Sequence, residues 1–390
     1  MRMRRTTSAL VGLLLAGVAA TPAHAETIRE RQWHLTAMKA DEIWKISTGK
    51  GVIVAVIDTG VGHIPELEGQ VVPGKDFSHG YEGDERTDYN KHGTGIAAMI
   101  AASGKHPSGD GSFGLAPGAK ILPLRVSEGG GGLRHMQSIS EAIRFAADSD
   151  AKIMNISFGG PGKSVELDEA VKYALSKGKL IFSSVGNDGA GANGVIYPSG
   201  SPGVVGISAV NPSGGATDES QHGPQVDLSA PGIDIMTSCI GGSTLCNTHG
   251  TSSATALASA SAALLWSAHP DWTNNQVLRV LLNTAGKPKG GAERNDYVGY
   301  GVVRPRVALP TPGDPGPANE FPLPDLAAAE APASPSPSAD AKAPESGKPA
   351  PAPQAEEKKG GNLPWIALGL GACVIIGGAV ATVVVRRRNR

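Results

Sequence analysis

The stretch Gly51-Val52-Ile53-Val54-Ala55-Val56-Ile57-Asp58-Thr59-Gly60 decides the reading of the fold. Residues 52–57 are apolar without interruption, and all but Ala55 are β-branched. A strand that alternates apolar and polar residues has one wet face. This one does not alternate, so both of its faces must be covered, as in the interior of a parallel sheet. The run ends abruptly in a carboxylate. An ionisable group at the carboxyl end of a buried strand stands where open α/β sheets present their ligand-binding side chains.

Working outward, comparable strand signals fall at 120–126, 152–157, 180–185 and 204–210, and helical patterns at 93–102, 133–147, 165–177, 251–268 and 274–282. Thr273 with Gln276 forms a capping box for the last helix. Strands alternating with helices predict an α/β fold of three layers, a mainly parallel central sheet with helices on both faces. No internal repeat is present.

Three segments carry chemistry: Asp58-Thr59-Gly60, His92-Gly93-Thr94-Gly95 and Gly250-Thr251-Ser252-Ser253. A hydroxyl is a poor nucleophile until an imidazole takes its proton. The imidazole in turn needs a carboxylate to fix its tautomer and stabilise its charge. Asp58 closes a strand, whereas His92 and Ser252 open helices, where free N–H groups can stabilise an oxyanion. Ser253 is a second hydroxyl, but one residue further along a helix points about 100° away. The expected triad is therefore Asp58, His92 and Ser252.

With these motifs in this order, the chain resembles the subtilisin-like serine proteases, or subtilases, over residues 32–307. Ser253 and Ala256 replace the Met and Pro usual in the family's serine motif. The resemblance implies a subtilisin-like fold and peptide-bond hydrolysis through an acyl-enzyme. It also implies an oxyanion hole made by Asn187, which ends the segment 180–187, together with the Ser252 N–H. Two glycine-bearing edges, Ser127-Glu128-Gly129 and Ser157-Phe158-Gly159, match the segments that pair with substrate backbone. Ile196, aligned at the base of the S1 pocket, implies a preference for small apolar P1 residues.

Both ends carry export signals. Arg2, Arg4 and Arg5, an apolar core at 9–20 and Ala23-His24-Ala25 read as a signal peptide spanning 1–25. Maturation is expected to leave a start near Glu26 with no separately folding propeptide, because too few residues precede the first catalytic strand. Residues 310–363 are Pro- and Ala-rich with few large apolar side chains, a disordered spacer. Residues 364–385 are long and apolar enough for one transmembrane helix, and the basic tail 386–390 places the peptidase domain (26–309) outside the cell.

The whole chain has 35 basic and 36 acidic residues. Setting aside the arginines of leader and tail leaves 28 basic against 36 acidic groups, net −8, for 26–363. An acidic ectodomain argues against nucleic acid as a partner. Cys239 and Cys246, seven positions apart in the exported part, are expected to form a disulfide. Subtilases often bind structural calcium, which the resemblance leaves open, but Asp84, Glu85, Asp88 and Asp110 show no recognisable calcium spacing and are read as a solvated acidic loop, with no metal and no cofactor expected.

Within the subtilases the architecture resembles the mycosins, membrane-anchored proteases associated with type VII secretion. Gln32-Trp33-His34-Leu35, the spacer, the single span and the basic tail carry that resemblance. It implies processing of secreted proteins at the envelope, with protein or peptide substrates and type VII membrane components as partners. A general envelope subtilase and a mainly structural scaffold are the alternatives.

Overall fold

The structure, a computed structural model, describes residues 26–127, 132–240 and 245–330. Glu128 and Gly129, the leader, the transmembrane stretch and the basic tail lie outside the described residues. Three short helices, α1 (Ile28–Arg31), α2 (Trp33–Ala37) and α3 (Ala40–Ile43), lead into β1 (Ile53–Asp58). Then come β2 (Lys75–Phe77), α4 (His92–Ala101), β3 (Lys120–Val126), α5 (Leu133–Asp148), β4 (Ile153–Ile156) and the two-residue β5 (Gly160–Pro161). They are followed by α6 (Val165–Ser176), β6 (Leu180–Ser184), β7 (Ile196–Tyr197), β8 (Val205–Val210) and β9 (Leu228–Pro231). A hairpin of β10 (Ile235–Ser238) and β11 (Leu245–Thr248) precedes α7 (Thr251–Ala268), α8 (Asn274–Thr284), α9 (Pro305–Ala308) and α10 (Pro324–Glu330).

Seven strands form one parallel sheet in the order β2-β3-β1-β4-β6-β8-β9. β1 lies inside it, with Ile57 opposite Leu124 on one side and Ile156 on the other. Val54 and Val56 pack into a core shared with α4, α7 and α8, while Ala55 and Ile57 face a second core with α5 and α6. That division is why the β1 sequence does not alternate. The chain adds β3 and β2 on one side of β1 and the remaining strands on the other, so the strand order reverses at β1. Asp58 therefore stands at the topological switch point.

Helix α7 is buried along nearly its whole length. Small side chains allow the close approach, and three of its hydroxyls are satisfied within the protein: Thr255 Oγ1 donates to Thr251 O at 2.8 Å, Ser261 Oγ to Leu257 O at 2.7 Å, and Ser259 Oγ to Asn155 Oδ1 at 3.0 Å. The Thr273–Gln276 capping box is formed at α8. At the N-terminus, Gln32 is fully buried and clamps the segment to the body: its Nε2 donates to Phe113 O at 2.8 Å and its Oε1 accepts from Phe113 N at 3.0 Å.

Residues 311–330, within the stretch read as spacer, pack on the body of the fold. Arg279 on α8 donates to the carbonyls of Pro315, Pro317 and Glu320 at 2.7–2.8 Å, Leu323 is buried, and Asp325 Oδ2 accepts from Gly203 N at 2.7 Å. Proline-rich composition leaves these carbonyls without helical partners, and one guanidinium gathers them. The rest of the expected spacer, 331–363, lies outside the described residues, and none of the described helices is long and apolar enough to cross a membrane.

Candidate active site

Asp58 is fully buried, and its Oδ1 lies 2.7 Å from His92 Nδ1. A carboxylate can only accept, so Nδ1 carries the proton and Nε2 is left as the base. Oδ1 also accepts from Thr59 N at 2.8 Å. Glycine at 93 is a packing requirement: a Cβ there would lie 2.2 Å from Gly60 O and 2.9 Å from Asp58 Oδ1. Without that Cβ, the first turn of α4 can approach β1 closely enough for the ring to reach the carboxylate.

Asp88 holds this turn in place. It is buried, and accepts from Lys91 N (2.8 Å), Thr94 N (2.8 Å), Thr94 Oγ1 (2.6 Å) and Thr59 Oγ1 (2.7 Å). It thus satisfies open N–H groups at the α4 N-terminus, where negative charge is favoured. Thr59 Oγ1 accepts from Gly93 N at 2.9 Å and ties cap to strand. The reading of Asp88 as part of a solvated acidic loop is thereby corrected. Asp110 accepts from Ile28 N at 3.0 Å. Asp84 accepts from Thr87 Oγ1 at 2.9 Å and from Arg86 N at 3.0 Å; the Thr87 bond is the main cause that holds its carboxyl below the usual range. Among the described residues, no three His, Cys, Asp or Glu side chains are grouped to hold a metal ion.

Ser252 is the second residue of α7 and its Oγ donates to Ser157 O at 3.2 Å. Ser253 Oγ is buried and makes no hydrogen bond. Asn187 Oδ1 accepts from Thr251 N and Thr251 Oγ1, both at 2.9 Å. A backbone N–H is only a donor, so this pair fixes the amide with Nδ2 turned the other way. A Cβ at Gly250 (φ +113°) would lie 2.8 Å from Nδ2, so this glycine leaves room for the amide beside Ser252.

The Phe158 ring lies 5.3 Å from the His92 ring, centroid to centroid. Ser127 is buried, with Oγ donating to Ser78 O at 2.7 Å. β5 pairs antiparallel with β7, setting Pro161 opposite Ile196. Ile196 Cδ1 reaches 3.1 Å from where a Cβ of Gly159 would sit and 3.2 Å from that of Gly186, so it projects between the segments that carry Ser157 and Asn187.

Cys239 and Cys246 are joined, with Cα atoms 6.0 Å apart, across the β10–β11 hairpin. The hairpin supports α4: Thr237 Oγ1 donates to Gly95 O at 3.3 Å, and Ile240 Cδ1 fills the space above Gly62. Asp88, Thr59 and Gly93 were not singled out by sequence reasoning as supports of His92. The signal available was an Asp four residues before a helix-opening His.

The sequence model of the subtilase family matches residues 49–301. M-protease of Shouchella clausii (strain KSM-K16) is 33% identical over 261 residues, covering 67% of this chain and 65% of that protein. The chain thus spans slightly under two thirds of that relative's length. The crystal structure of MycP1 from Mycobacterium smegmatis superposes with a TM-score of 0.65 at 27% identity, covering 77% of this chain and 89% of that one. MycP3 protease from the type VII (ESX-3) secretion system gives a TM-score of 0.63 at 28% identity, covering 74% and 90%. These similarities agree with the resemblance read from the motifs and the architecture. Sheet order, helix layers and the match over 49–301 together assign this chain to the subtilase family.

Proposed function

We propose that this chain is a serine endopeptidase of the cell envelope, anchored by residues 364–385, with Asp58, His92 and Ser252 as its triad. The observation that carries the reading is the 2.7 Å Asp58–His92 bond at the switch point. In the proposed reaction His92 Nε2 takes the Ser252 Oγ proton as Oγ attacks the scissile carbonyl, and Asp58 stabilises the imidazolium. The oxyanion is met by the Ser252 N–H, at the open end of α7, and by Asn187 Nδ2. His92 then protonates the departing amine, and water, activated in the same way, releases the acyl group. The proposed substrate-binding residues are Ser127, Glu128 and Gly129 with Ser157, Phe158 and Gly159, and Ile196 would limit the depth of the proposed S1 pocket.

A fluorophosphonate probe tests the assignment. Covalent mass should appear on Ser252, and Ser252→Ala should abolish both labelling and peptide hydrolysis, a loss of about 10⁶ in kcat by analogy with subtilisin, the reference case for this effect. Hydrolysis that survives the substitution would sink the triad.

The likeness to MycP1 and MycP3 supports a second element, that the protein serves a type VII secretion system by processing its substrates and as a structural part. Export of co-encoded proteins separates the two contributions. Normal export by Ser252→Ala cells with failed export in a full deletion assigns the structural part, whereas failed export in both assigns processing.

A further inference from the structure

A cavity of about 460 Å³ lies between α2, the ends of β8 and β9, and the segment 286–306. Its walls include Trp33, Met38, Val210, Pro231 and Val303, which give an apolar floor. Its rim is formed by Lys287, Lys289, Arg304 and Arg306, and no acidic residue lines it. None of these four cations is in an ion pair within the described residues. Lys287, Lys289 and Arg306 are exposed.

The region 26–363 carries a net charge of −8, yet this one cavity is lined by four cations and no carboxylate. Arg304 is held there by its own hydrogen bonds, Nε to Thr284 O at 2.8 Å and Nη2 to Ala285 O at 2.9 Å. Burial, and then the Arg306 charge, lower its pKa, so an anion placed between these two side chains would be favoured. The floor is equally unlike a simple anion site. Phosphate or a lone carboxylate would leave Trp33 unused, and a flat membrane surface cannot fill a concavity. A peptide with carboxylates on either side of a large apolar residue uses both floor and rim.

We propose that this cavity is a docking site for an acidic segment of a partner protein, anchored by one or two apolar side chains on the Trp33 floor and held by the basic rim. The site is separate from the triad. Trp33 Nε1 donates to Asp234 O at 2.9 Å, and Asp234 lines a second cleft together with His249.

The test uses the full chain in detergent, carrying Ser252→Ala so that the probe is not consumed. The probe is a fluorescein-labelled dodecapeptide with a Leu-Phe pair between runs of Asp and Glu, and binding is read by anisotropy. Binding should weaken with salt, and by about tenfold or more in Lys287→Glu/Lys289→Glu, with Lys287→Gln/Lys289→Gln intermediate. A control peptide with Ser in place of Leu-Phe should bind several-fold more weakly. Absence of binding, binding unchanged by either double variant, or equal binding of the control would overturn the proposal. So would vesicles rich in phosphatidylserine binding through these lysines when the peptide does not, which would make the rim a membrane contact.

Discussion

Ile196 is one isoleucine whose terminal methyl closes a gap between two backbone segments, and its consequence for specificity is direct. Under the proposed function a P1 side chain enters beside Gly159 and Gly186, where Ile196 Cδ1 already sits. Wild-type protein should therefore favour small apolar P1 residues. Replacing Ile196 by Gly should shift the ratio of kcat/KM for Phe over Ala at P1 upward by about 10–100-fold, the range expected when a few methylenes are removed from a pocket. Peptide-library profiling checks both statements, and efficient wild-type cleavage after Phe or Tyr would refute the pocket assignment. At this scale the motif residues were legible because chemistry demands specific side chains. The residues that hold them were not: Asp88 reads as one more carboxylate in an acidic stretch until the fold turns its four hydrogen bonds inward.

Among the elements, the β10–β11 hairpin shows what a short cross-link does beside an active site. Closing the loop between Cys239 and Cys246 should contribute about 2–3 kcal/mol through restriction of the unfolded chain. The hairpin also holds α4 through Thr237, so its loosening should reach His92. In Cys239→Ser/Cys246→Ser, urea unfolding should show that loss, and kcat should fall more than KM rises. An unchanged kcat would mean that α4 is held by Asp88 alone. Sequence periodicity located the long buried strands and helices to within two residues, because continuous apolar runs and capping residues mark them. It missed β2, β9 and the hairpin. β2 is Lys-Asp-Phe at the sheet edge, and β9 ends in proline on the opposite edge, so neither carries the apolar pattern of a central strand.

Across the whole molecule, a buried histidine and a half-buried aspartate set opposing pH dependences. His34 is fully buried, its ring nitrogens make no hydrogen bond, and burial lowers its pKa to about 3. As pH falls below 6.5 the unfolded chain binds a proton that the fold excludes, so stability is lost from 6.5 down to about 3. Asp227 is raised to about 8, first by burial and then by the Asp325 charge, against the opposing Gly206 N–H. Here the fold keeps a proton that the unfolded chain releases, so stability is lost as pH rises from 3.8 to about 8. The two slopes oppose between 3.8 and 6.5, and above 6.5 only the Asp227 loss continues. Asp227→Asn keeps an acceptor for Gly206 N and should stabilise the protein by several kcal/mol at pH 8 and little at pH 4, at about 1.4 kcal/mol per unit. Urea midpoints at pH 4, 6.5 and 8 check this, and a gain no larger at pH 8 than at pH 4 would contradict it.

The course of α7 has a further consequence, one of timing. Ser252 sits on the first turn of the helix that both the sheet and α4 enclose, and its carbonyl neighbour comes from a segment nearly a hundred residues earlier in the chain. Under the proposed function, nucleophile, base and oxyanion donors meet only once both layers have closed around that helix. Hydrolytic competence would then arrive with the finished fold and not before it.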